Sequence, residues 1–96
     1  MTLLLRVIRP GWHRLARGRY AHHPSEWQVK HCGHATALHP FFALSPDGKQ
    51  VAASRARAFD SVEEAQGVVE GIIEGRLALV RHPDRAGWWI PEVCGA

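Results

Sequence analysis

The residues best suited to chemistry are gathered in one run. Between Trp27 and Leu44 stand His31, Cys32, His34 and His39, together holding three of the seven histidines and one of the two cysteines. Two chemistries suit these types. Imidazole and thiolate are zinc ligands, and Cys94, His22, His23 and His82 offer further donors from elsewhere in the chain. A cysteine beside histidines can also form a thiolate–imidazolium pair, the activated nucleophile of covalent catalysis.

The spacing argues against both. Structural zinc sites pair their ligands as Cys-x-x-Cys or His-x-x-x-His, and the run has neither. On a strand, Cys32 and His34 share one face while His31 joins Trp27 and Val29 on the other. Nothing marks an oxyanion hole or an orienting acid, and 96 residues leave little room for a substrate pocket. The expectation is therefore no catalytic residue, no metal and no cofactor, with a zinc-stabilised module kept as an alternative. Trp27, His31, Cys32, His34, Thr36 and Pro40 are expected to be structural. His31 should pack beside Trp27 and Val29 with one ring nitrogen hydrogen-bonded. Gly33 reads as a bulge or a close backbone approach. It would aim His34 at the Thr36–Pro40 loop, which that side chain would hold by hydrogen bonds. Cys32 is expected to be buried and reduced.

The second concentration is of charge. Residues 1–25 contain Arg6, Arg9, Arg14, Arg17 and Arg19 and no acid. Residues 60–74 contain Asp60, Glu63, Glu64, Glu70 and Glu74 and no base. Arginines near Trp12 and Tyr20 suit phosphate contact and base stacking, or an acidic protein surface. The partner-binding set is thus Arg6, Arg9, Trp12, Arg14, Arg17, Arg19 and Tyr20; the plainer reading is a solvated basic hairpin. No helix-turn-helix pattern is present, and the acidic helix would be repelled by phosphate. The four tryptophans, Trp12, Trp27, Trp88 and Trp89, are many for this length, and tryptophan is enriched at binding hot spots. Trp88 and Trp89 must point to opposite faces of a strand, one into the core and the other to solvent or a second copy of the chain.

These residues need elements to position them. Thr2–Ile8 reads as a strand, Pro10-Gly11 as a turn, and His13–Tyr20 as the return strand with Leu15 on one side and the arginines on the other. His22–Ser25 is a loop, because Pro24 biases His23 away from helix. Trp27–His31 alternates as a half-buried strand. Ala35–Pro40 reads as a loop or a short helical turn, and Phe41–Leu44 as a strand. Ser45-Pro46-Asp47-Gly48 is a hairpin turn, and Lys49–Ser54 returns from it. Ser61 and Glu64 form a capping-box pattern. Val62, Ala65, Val69, Ile72 and Ile73 follow at helical spacing, and Gly75 ends the helix. Gly67 and Gly71 inside it imply a close approach to a neighbour. Leu77–Val80 and Trp88–Ile90 are strands, the second stopped by Pro91.

One strong helix among strands predicts an α+β fold: a single domain over 1–96, with an antiparallel sheet packed on one helix at about residues 61–74. The composition, 46% hydrophobic and 22% charged, is ordinary for a globular protein. The apolar run Leu3–Leu5 is too short for a signal-peptide core or a membrane span. A cytoplasmic location, without membrane, is expected.

The run Trp27, Val29, His31-Cys32-Gly33-His34, Thr36-Ala37, Pro40 and Phe41-Phe42 resembles that of a group of small, mostly uncharacterised proteins of bacteriophages and proteobacterial prophages. The resemblance extends to Pro46-Asp47-Gly48, to Phe59-Asp60-Ser61 and to Ala65-Gln66, covering about the middle half of the chain. Ala35, where the group has proline, and His39, where it has an aromatic residue, depart from it. The resemblance carries no activity. Phage accessory proteins of this size commonly bind and block a host machine, CRISPR–Cas complexes among them. The expected function is therefore a non-enzymatic binding protein that blocks a host protein or ribonucleoprotein complex in the host cytoplasm, most concretely an anti-defence inhibitor. A nucleic-acid-binding protein using the basic hairpin is the alternative, and a homodimer is compatible with either.

Overall fold

Helix α1, Val62–Ile73, starts where its capping pattern places it. In the computed structural model, which describes residues 9–94, the Ser61 hydroxyl accepts the Glu64 N–H at 3.1 Å. The reciprocal bond is displaced by one residue: Glu64 accepts the N–H of Asp60, at 2.8 Å, in place of that of Ser61. The apolar stripe then buries Ala65 and Val69 against the sheet. The close approach expected at Gly67 and Gly71 is present at Gly71 alone; at Gly67 a Cβ would make only an ordinary contact with Arg9, at 3.5 Å. A Cβ at Gly71 would stand 2.7 Å from Leu77 Cδ1, inside van der Waals contact, so any larger residue would make the Leu77 side chain shift.

Seven strands form one sheet: β1 Trp12–Ala16, β2 Arg19–His22, β3 Gln28–His31, β4 Phe41–Leu44, β5 Gln50–Val51, β6 Leu77–Arg81 and β7 Trp88–Val93. Their order is β1-β2-β3-β4-β5-β7-β6. Every pairing is antiparallel except β5 with β7. That parallel pair is joined by a crossover that contains α1 and β6. The α+β architecture with one helix on a mostly antiparallel sheet is as expected.

Register organises the core. Arg14, Tyr20, Val29, Ala43, Val51, Trp89 and Arg81 face one another across all seven strands in a single row. Residues in one row share a face. The middle of this row, Val29, Ala43 and Val51, is fully buried, and with Phe59, Trp12, Trp27, Ala65 and Val69 it forms the core under α1. The charged ends of the row, Arg14 and Arg81, lie on the outermost strands and are exposed.

Three expected elements differ. The segment His13–Tyr20 is a hairpin in itself, with Arg17-Gly18 as its turn. Gly18 has φ +74°, and a Cβ there would lie 2.9 Å from His31 Cβ. The strand expected over Thr2–Ile8, and Arg6 with it, falls outside the described residues. The return from the Ser45–Gly48 turn shortens to Gln50–Val51, because Ala53 and Ser54 donate instead to the carbonyl of Arg57. Pro91 does not stop β7; it pairs with Leu79. Since β5 reaches only Trp88 and Trp89, no strand among the described residues pairs with that edge of β7 at Pro91, where the missing N–H breaks no ladder bond.

Candidate functional site

The His31–Pro40 segment is a closed loop. Cys32 N–H donates to the Pro40 carbonyl at 2.7 Å and joins its two ends. His31, the last residue of β3, sets its ring edge against Phe41, with centroids 5.2 Å apart. Its Nδ1 accepts the Gly33 N–H at 2.9 Å, so the ring proton of the neutral form sits on Nε2. The expected hydrogen bond of His31 is present, and its aromatic contact is with Phe41 in place of the expected packing beside Trp27 and Val29. Gly33 owes its place to φ +94° and not to crowding, since nothing lies within 4 Å of a Cβ built there.

The expectations of a buried Cys32 and of a loop held by the His34 side chain need correction. Cys32 is exposed, because β3 ends at His31 and the chain leaves the sheet. His34 is exposed, and only its backbone carbonyl takes part in the loop, accepting from Ala37 N–H at 3.2 Å. The histidine that ties the loop down is His39, whose Nδ1 is hydrogen-bonded to Asp60 beside the helix start. Thr36 lies exposed in the turn, and Trp27 is core. Cys32 and Cys94 are both free thiols. Among the described residues no group of three or more His, Cys, Asp or Glu side chains could hold a metal ion.

The basic set separates into two groups. Arg9 and Trp12 face inward: Arg9 pairs with Glu70 at 3.3 Å, and the Trp12 indole N–H donates to the same carboxylate at 2.9 Å. Trp12 is 5% exposed, so it offers no face for stacking. Tyr20 is half-buried in the core row. Arg9 and Trp12 fasten the start of the hairpin to the helix through Glu70. Arg14, Arg17 and Arg19 are exposed.

Pairing divides the cations more sharply than exposure does. Arg9, Lys49, Arg55, Arg57 and Arg76 each have a carboxylate partner. Asp84 is held below its usual range by the Arg55 guanidinium, and Asp47 by Lys49 and the Ser45 hydroxyl. Arg14, Arg17, Arg19, Lys30, Arg81 and Arg85 have no carboxylate within salt-bridge distance among the described residues; Arg81 and Arg85 lie instead over the rings of Trp89 and Trp88. Three of these six meet at one place. Arg17, Arg19 and Lys30 line an open cleft of about 580 Å³ with Gly18, His31, Gly33 and Ala35, and no acid lines it. Lys30 enters because it pairs directly with Arg19 across β2 and β3. Its alternation with Val29 was visible in the sequence, but its neighbour was not.

No family model matches this chain, and no curated protein or solved structure matches it either. Among the described residues, no helix is long and apolar enough to cross a membrane.

Proposed function

We propose that this chain is a non-enzymatic binding protein that engages nucleic acid, free or as part of a ribonucleoprotein complex, through the basic hairpin β1–β2 and Lys30. The observation that supports this reading is the sorting of the cations. Five are matched to carboxylates, whereas Arg17, Arg19 and Lys30 gather around a cleft without an acid. Unpaired cations held close together repel one another and favour an anionic ligand, and neutralising phosphates releases counterions. Blocking a host ribonucleoprotein, as an anti-defence protein would, is the biological version of this reading consistent with the prophage resemblance.

The test is charge reversal at the cleft. Arg17 and Arg19 are exposed on the hairpin, so Arg17→Glu/Arg19→Glu should melt within a few degrees of the parent. It should lose affinity for a fluorescein-labelled oligonucleotide by at least roughly tenfold at moderate salt. Unchanged affinity would move the interface to another surface.

A further inference from the structure

The nucleic-acid reading leaves the form of the ligand open, and the sheet itself carries information about it. The helix covers only one face of the sheet. On the opposite face, Arg19, Lys30 and Phe42 stand in one row across β2, β3 and β4. Leu44, Gln50 and Trp88 stand in the adjoining row. The rings of Phe42 and Trp88 meet edge to face, with centroids 5.6 Å apart. The Arg85 guanidinium lies 4.6 Å over the Trp88 ring. Phe42 and Trp88 both remain partly exposed. Trp89, next in sequence, packs into the core instead.

We propose that this helix-free face is a stacking platform for a single strand of nucleic acid. Bases would stack on Phe42 and, in place of the Arg85 guanidinium, on Trp88, while Lys30, Arg19 and the cleft beyond them would hold the backbone phosphates. This proposal rests on the nucleic-acid reading above. Aromatic side chains on a sheet suit unpaired bases, whose faces are free, and a duplex hides those faces. From β2 to β7 the sheet runs four strand spacings, about 19 Å, which accommodates a few nucleotides.

A second copy of the chain fits the face less well. A twofold contact sets a surface against itself, and here it would set the cations of one copy, Arg19, Lys30 and Arg85, against those of the other. Glu92 is the only acidic residue in any described strand, and it lies at the far end, opposite Ala78. The face therefore carries little to neutralise its own cations, while a phosphate backbone supplies the missing charge.

The experiment is a pair of anisotropy titrations with labelled oligothymidylate, about 12 nucleotides long, and a duplex of equal length. They are repeated with Phe42→Leu and Trp88→Leu, which keep apolar bulk on the sheet, and melting curves are recorded for each. The wild-type protein should prefer the single strand. Each variant should lose roughly tenfold in single-strand affinity and still melt as a folded protein. Tryptophan quenching by the oligonucleotide should disappear in Trp88→Leu. Equal wild-type binding of duplex and single strand overturns the platform, and needs no variant to show it. So does undiminished binding by both leucine variants; if Arg17→Glu/Arg19→Glu abolishes binding in that case, the basic cleft stands without the platform. Failure of the wild-type protein to bind either nucleic acid removes both readings. A dimer that Trp88→Leu dissociates, with no effect of oligonucleotide, assigns the face to self-association and overturns the platform.

Discussion

His31 and His34 are the same residue type two positions apart, and they have different roles. His31 closes β3, touches Phe41 and accepts the Gly33 N–H. His34 is exposed, with only its backbone engaged. Replacing His31 by alanine should therefore cost roughly 1–2 kcal/mol, the size of one hydrogen bond together with an aromatic contact. His34→Ala should leave stability within about 0.5 kcal/mol, as for an ordinary surface site. Thermal melts of the two variants decide this, and equal losses would mean that His34 has a partner in the folded protein. Alternation along Trp27–His31 was enough to place His31 with the apolar residues. It was not enough for Cys32, whose exposure depends on where the strand stops. Nor could it find the His39–Asp60 contact, which joins residues 21 apart in the chain.

At the scale of elements, the start of α1 is the most tightly bonded junction. Arg57 forms two hydrogen bonds to the Glu64 carboxylate, at 3.0 and 2.7 Å, and Glu64 in turn accepts the Asp60 N–H. Arg57 thereby holds the Glu64 carboxyl below its ordinary value of 4.5, outweighing the opposing effect of partial burial. Because the folded value is depressed, the stabilisation is complete above pH 4.5 and is lost as the pH falls through the lower folded value. Glu64→Gln should lower stability at neutral pH and flatten the part of the acid unfolding curve below pH 4.5 that belongs to this group. Urea midpoints measured across the acid range check this, and parallel curves for parent and variant would contradict it. This helix was legible because its cap, acidic first turn, apolar spacing and terminal Gly75 are all local signals. The hairpin β1–β2 was not, because the register shifts between Arg14 and Ala16 and breaks the alternation at Leu15. The extension of β7 through Pro91 depends on where β5 ends, which no local pattern records.

At the scale of the molecule, the sheet has a core face under the helix and a face that no described helix covers, and Arg17, Arg19 and Lys30 gather towards one end of it. Local patterns showed that Trp88 and Trp89 must part to opposite faces. Which one met Phe42, and that Lys30 stood beside Arg19, followed only from the strand order. The claim that this end binds phosphate is tested most directly by the salt dependence of binding. Log affinity for a single-stranded oligonucleotide should fall linearly with log salt, with a slope of about −2 if Arg17, Arg19 and Lys30 each approach a phosphate. In Arg17→Glu/Arg19→Glu the slope should shrink by at least about 1. A slope near zero in the wild-type protein, or one that charge reversal leaves unchanged, would contradict phosphate binding at this end of the sheet.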